Sequence, residues 1–263
     1  GPGGSLAATG AVTLTAAGTG FDISTAGANQ TIGALNGVAG STVSLGAQTL
    51  TLGGVGNSIF DGAISGTGGL VKNGAGSLTL GGANLFSGGV ALNGGALVVG
   101  NNAALGSGAL TVGSNATLDA STSVSLANNI NLASGANLDL LGSQALTLGG
   151  VISGTGGLIK DGAATVTLSG ANTYTGGTTI NSGTLAIGAG GSLAAAGAVN
   201  LAGAGTFDIS AGNQAIGSLA GVAGSTVALG GSTLTLGGTV DSTFSGAISG
   251  NGGLVKNLSL IHI

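Results

Sequence analysis

Cysteine, methionine, tryptophan, glutamate and arginine are missing from these 263 residues, and proline, tyrosine and histidine occur once each. Zero cysteine removes disulfides and thiolate metal sites, and leaves the compartment open. Charge is nearly absent too. Three Lys and seven Asp make 4% of the chain, where a typical soluble domain carries about a quarter. A net charge of −4 with three cations argues against nucleic acid and against anionic membrane surfaces as partners. No apolar run approaches the roughly 18–20 residues of a membrane helix, so direct membrane insertion is not expected. A single proline, and glycine without a strict three-residue period, exclude collagen. Disorder fits poorly, because 43% of the residues are hydrophobic.

What is there is glycine, 60 residues of it, and repetition. The segment Ile64-Ser-Gly-Thr-Gly-Gly-Leu-Val-Lys72 returns as Ile152-Ser-Gly-Thr-Gly-Gly-Leu-Ile-Lys160 and as Ile248-Ser-Gly-Asn-Gly-Gly-Leu-Val-Lys256. A larger duplication overlies these copies. Gly4 to Val12 matches Gly191 to Val199, Phe21 to Ser24 matches Phe207 to Ser210, and Gly37 to Val43 matches Gly221 to Val227. The register drifts through Gly, Ala and Thr, as insertions and deletions in turns do. A shorter period lies inside. Ser114-Asn-Ala-Thr-Leu-Asp119 and Ser134-Gly-Ala-Asn-Leu-Asp139 are 20 residues apart. Long-period self-similarity of this kind marks a stack of like units.

The local pattern says what each unit is. Ala11-Val-Thr-Leu-Thr15, Thr49-Leu-Thr-Leu52, Ser77-Leu-Thr-Leu80, Thr165-Val-Thr-Leu168 and Thr233-Leu-Thr-Leu236 alternate apolar with Thr or Ser. That is the period of a half-buried strand. Gly-Gly, Gly-Ser and Asn-Gly pairs separate the strands and supply bends. Helices are excluded by the glycines, each costing about 1 kcal/mol in a helix interior. Short strands, glycine corners and coils of about 20 residues predict an all-β fold, a parallel β-helix or β-solenoid with rungs about 4.8 Å apart. Leu, Val, Ile and Ala are expected inside a thin core, with Thr, Ser and Asn facing out. Residues 1–257 read as a single solenoid with long repeat units near 61–100, 149–188 and 245–257.

The fullest unit runs from Gly154 through Lys160, Tyr174 and Ile180 to Gly188, and Gly66 to Gly100 is a diverged copy. Asn84-Leu-Phe-Ser-Gly-Gly stands in one where Asn172-Thr-Tyr-Thr-Gly-Gly stands in the other. This motif closely resembles the autotransporter-associated β-strand repeat of bacterial passenger domains. The resemblance implies a right-handed β-helix outside a Gram-negative cell. It also implies a C-terminal translocator barrel in the outer membrane as the partner in cis, and passengers that serve in export, folding, adhesion or virulence. The chain opens without an initiator Met or signal peptide, as a mature end or a truncation does. After Asn257 the repeat should continue with Gly, and Leu258 to Ile263 reads instead like a translated sequencing adapter. We therefore expect residues 258–263 to be non-native, which strips His262 of meaning, and the barrel to be missing.

Candidate chemistry is sparse. Asp119 and Asp139 hold the same place in successive coils, about 5 Å apart if rungs align. That spacing suits a retaining glycosidase pair or a calcium site. The preferred reading is an outward Asp on a solvated strand, since Asp22 and Asp208 recur in the same apolar-Asp-apolar setting. Lys72, Lys160 and Lys256 recur once per long unit, and are expected to hold their ammonium in solvent while the stem covers a rung. None precedes Ser or Thr, so the glycine runs are not P-loops. Tyr174 with Phe86, and Phe21 with Phe207, are equivalent pairs expected in core or corner packing rather than as sugar platforms. Thr-x-Thr pairs at Thr13, Thr49, Thr165 and Thr233 come at irregular gaps, which argues against a flat ice-binding array. The expected function is a structural stalk and surface-display segment, without catalytic residues, cofactor or metal. Adhesion or self-association is the alternative, with host surfaces or further copies as partners, and a polysaccharide-acting enzyme stands behind it.

Overall fold

The computed structural model describes residues 6–257. The tail expected at 258–263, His262 included, and the Gly4 start of the large duplication lie outside the described residues. Among the described residues there is no helix, and the strands pair in parallel. The chain forms two compact units, one up to Asn131 and one from Leu132 onward.

The first unit is a three-faced coil. Ala11–Leu14, Ala34–Gly37, Ser58–Phe60, Ser77–Leu80, Ala96–Val99 and Ala116–Ala120 stack on one face. Gly20–Asp22, Thr42–Gly46, Ala63–Gly66 and Leu85–Phe86 make the second. The third contains Gln30–Ile32, Leu50–Leu52, Leu70–Lys72, Val90–Leu92 and Leu110–Val112. On that face each strand pairs with the strand 20 residues on: Gln30 with Leu50, Leu50 with Leu70, Leu70 with Val90, Val90 with Leu110. The other two faces absorb the variation in coil length, with Ala11 opposite Ala34 but Ser77 opposite Ala96 on the first, and Gly20 opposite Thr42 but Ser65 opposite Leu85 on the second.

The second unit repeats the plan. Asn137–Leu140, Gly157–Lys160, Thr178–Ile180, Ala198–Leu201 and Ser218–Gly221 form one stack. Leu146–Leu148, Thr165–Leu168, Thr184–Ile187, Thr206–Asp208, Thr226–Gly230 and Ala247–Gly250 form another, and Gln214–Ile216, Leu234–Leu236 and Leu254–Lys256 a third. Each unit is thus a β-solenoid with coils of about 20 residues, as the alternation and the short period predict.

Alternation decides which side chains enter. In Leu50-Thr51-Leu52 and Val90-Ala91-Leu92 the outer two are buried and the middle one faces out. Register then aligns inward positions into columns such as Leu146, Val166, Leu185, Phe207, Val227. Each buried Leu, Val or Ile adds roughly 1.5–3 kcal/mol of transfer free energy. Both units bulge at matching places, between Ser44 and Gly46 and between Ala228 and Gly230. Gly46 and Gly230 have φ of 59° and 57°, in the left-handed region where a Cβ is costly.

Candidate functional site

The recurring lysines are not where the sequence reading puts them. Strand Leu70–Lys72 sends Leu70 inward and Val71 outward, so Lys72 points inward again. Its neighbours in register are Leu52 and Leu92, within the column Ile32, Leu52, Lys72, Leu92, Val112. Lys72 is 3% exposed and Lys160 is 0% exposed. The expected solvated ammonium is therefore wrong for both. Alternation overrides the preference of the charge for water, and carbonyl oxygens at the next corner take its place. Lys72 Nζ donates to the carbonyls of Gly74 and, at 3.3 Å, of Gly94. Lys160 Nζ donates to Asp161, Gly162 and Ser182 at 2.5, 2.9 and 3.3 Å. Burial lowers the Lys72 pKa from its ordinary value. Lys256 is exposed and donates to Gly238 at 2.7 Å.

A second correction concerns asparagine, expected to face out. Asn84 and Asn172 are buried, and each ties its coil to the next. Asn84 Oδ1 accepts the Ile64 N–H of the preceding coil at 2.8 Å, and its Nδ2 donates to Ala104 of the following coil at 2.6 Å. In the second unit Asn172 accepts from Ile152 at 2.8 Å and donates to Gly170 and Ser192 at 2.9 and 3.0 Å. Sequence reasoning passed over both residues. The signal was the identical Ala-Asn-x-aromatic placement in the two copies. Outward asparagines do form the expected ladders, as in Asn93 Nδ2 to Asn73 Oδ1 at 2.9 Å and Asn181 Nδ2 to Asp161 Oδ1 at 2.8 Å.

The aromatics pack. Phe86, Tyr174 and Phe207 are buried, and Phe21 is half-buried opposite Val43. Tyr174 Oη lies 2.6 Å from Thr178 Oγ1, and burial raises the phenol pKa to about 12.

Asp119 sits opposite Val98 in the first unit and Asp139 opposite Ile159 in the second. Asp119 is 7% exposed, so the solvated strand expected for it is wrong; Leu118, Asp119 and Ala120 are all buried. Asp139 is half-buried. Asp22 is exposed, and its carboxyl pKa is lowered by hydrogen bonds from Ser24, whose N–H lies at 2.8 Å. Among the described residues no three acidic or histidine side chains gather at one place.

A groove of about 290 Å³ over the third face of the first unit is lined by residues such as Thr49, Gly68, Val71, Gly88, Ala91 and Thr111, none of them titratable. The outward row beneath it reads Thr31, Thr51, Val71, Ala91, Thr111. Val71 and Ala91 interrupt the threonines, so no flat threonine array forms on this face.

Nothing among curated proteins or solved structures matches the chain. One family does match in part: the passenger-associated-transport-repeat, at residues 70–99 and again at 158–187. Those two stretches contain Lys72 with Asn84, and Lys160 with Asn172. The chain therefore carries two copies of the passenger-associated-transport-repeat, the repeat of autotransporter passengers that its long motif resembles.

Proposed function

We propose that this chain is a structural stalk and surface-display segment of a bacterial autotransporter passenger, supporting export and folding at the cell surface. The observation that carries the reading is the pair of passenger-associated-transport-repeats seated in stacked parallel coils. Autotransporter passengers reach the cell surface through the outer membrane, with a translocator barrel C-terminal to them in the same polypeptide. Each docked coil offers the next an edge of N–H and C=O groups. The buried asparagines sharpen that edge, because Asn84 is satisfied only with coils on both sides of it. Folding that adds coils in order disfavours return of the emerged segment, and so biases transit outward.

The experiment replaces residues 146–187 by a Gly/Ser linker of equal length within the barrel-bearing passenger and measures surface exposure and protease resistance. The expected result is loss of efficient export and of passenger folding. Unchanged export with a folded passenger overturns the proposal.

A further inference from the structure

An asparagine followed by glycine can modify itself. The glycine N–H closes on the side-chain amide carbon, and the missing Cβ leaves that approach open. Four such pairs occur: Asn36-Gly37, Asn73-Gly74, Asn93-Gly94 and Asn251-Gly252. The sequence makes them equivalent, and the fold does not.

Asn36 lies in strand Ala34–Gly37, where its Oδ1 accepts the Ile59 N–H at 3.2 Å. The Gly252 N–H donates to the Gly230 carbonyl at 2.9 Å, and the Gly74 N–H to the Leu52 carbonyl at 3.3 Å. Among the described residues the Gly94 N–H forms no hydrogen bond. Asn93 is exposed, at the corner after Val90–Leu92, and its Nδ2 donates to Asn73 Oδ1 at 2.9 Å. Its backbone is held on both sides. The Asn93 N–H donates to the Lys72 carbonyl at 2.8 Å, and the Asn93 carbonyl accepts from Ser114 Oγ. The Gly94 nitrogen is thus the one nucleophile of these pairs that gives up no hydrogen bond in order to attack.

We propose that Asn93-Gly94 is a self-modification site, at which the Gly94 amide nitrogen displaces ammonia from the Asn93 side chain. Hydroxide takes the Gly94 N–H proton, the nitrogen bonds to Asn93 Cγ, and the Cγ–Nδ2 bond breaks. The departing nitrogen takes a proton from water and leaves as ammonia, which restores the hydroxide. Water then adds to one carbonyl of the resulting ring and opens it to aspartate or isoaspartate. The fold already holds a pair like the aspartate product. In the second unit Asp161 stands where the first has Asn73, and Asn181 Nδ2 donates to Asp161 Oδ1 at 2.8 Å. Aspartate at 93 gives the same carboxylate and carboxamide with roles exchanged, once the Asn73 amide turns to donate. Isoaspartate adds a backbone carbon directly before Gly94, whose carbonyl accepts from Lys72 Nζ at 3.3 Å, and so disturbs the buried corner. The second unit has Ser182 in the place of Gly94, with a Cβ and an N–H bond to the Lys160 carbonyl at 3.5 Å, and both oppose ring closure. The chemistry needs only water and the folded coil, and does not depend on export.

The test incubates the folded chain in mildly alkaline buffer beside a sample in guanidinium chloride, and locates the amide-to-acid mass gain by peptide mapping. In denaturant the four pairs should convert at similar rates. In the folded chain Asn93 should come first and Asn73 next. Asn93 should lead Asn36 and Asn251 by about fivefold or more, the rate equivalent of one hydrogen bond. Asn93→Gln should remove the leading site and leave the other three rates unchanged. Any order in the folded chain that does not put Asn93 first, or an Asn93 that converts only in denaturant, overturns the proposal. If Asn93→Gln fails to fold, the order in the parent chain alone decides.

Discussion

The Tyr174 hydroxyl lies 2.6 Å from Thr178 Oγ1 inside the second unit, on the chain's one tyrosine. Burial raises its pKa from 10.0 to about 12. An unfolded chain loses this proton first as pH rises. The stabilisation is therefore complete below pH 10 and is lost between 10 and about 12. Two pKa units correspond to roughly 2.7 kcal/mol. Phenolate absorbance of the native protein should appear near pH 12 rather than 10, and Tyr174→Phe should lose this part of the pH dependence in urea unfolding. Native titration at the ordinary value would refute the burial of the hydroxyl.

Asn172→Ala leaves the Ile152 N–H and the Gly170 and Ser192 carbonyls without their side-chain partner. The Gly170 carbonyl still accepts from the Ser192 N–H at 3.1 Å and the Ser192 carbonyl from the residue 172 N–H at 2.9 Å. The penalty therefore falls on the Ile152 N–H, and a loss of about 1–3 kcal/mol is expected. Asn93→Ala removes one bond between exposed side chains and should cost under about 1 kcal/mol. Chemical denaturation of the two variants measures the contrast. Equal losses would show that the buried asparagines are not the connectors between coils.

Strand positions, coil length and corner glycines were legible because alternation and repetition are properties of the chain alone. The passenger repeat was legible for the same reason, in Gly66 to Gly100 and Gly154 to Gly188. Lys72 was misplaced because charge was weighted above alternation, although Leu70-Val71-Lys72 already sets Lys72 on the side of Leu70. Asn84 is buried although asparagine was expected to face out with Thr and Ser. Its burial depends on acceptors and donors 20 residues away on both sides, which no local pattern displays. Asp119 shows the limit differently, since its neighbours Leu118 and Ala120 are buried with it and alternation alone cannot reveal cover on the outer face.

Gly154, the third residue of the Ile-Ser-Gly motif, has φ of 105°. A Cβ there would lie 2.0 Å from the Leu132 carbonyl oxygen, in the preceding coil. Gly154→Ala combines backbone strain with overpacking and should cost about 3–5 kcal/mol. Gly212 provides the contrast, with nothing within 4 Å of a Cβ. Gly212→Ala should stay within about 1 kcal/mol of the parent. Thermal unfolding of both variants reads the difference, and a neutral Gly154→Ala would disprove the close approach of the two coils.

Lys72 makes the pH argument run the other way from Tyr174. Burial lowers its pKa below the ordinary 10.5, so the unfolded chain holds this proton more firmly than the native one. Stability from this position is smallest below the native pKa and rises with pH until 10.5 is passed. Lys72→Met keeps the stem but removes the donor to Gly74 and Gly94. Near pH 7 the lost hydrogen bonds outweigh the relief of an ammonium in an aliphatic column, and a net cost of about 1–2 kcal/mol is expected. Raising the pH lifts the parent and leaves the variant unchanged at this position, so the gap should widen toward pH 10.5 instead of closing. Measuring both against Tyr174→Phe backgrounds removes the opposing phenol titration. A gap that narrows with pH would mean that the carbonyl corner holds the ammonium more favourably than water does.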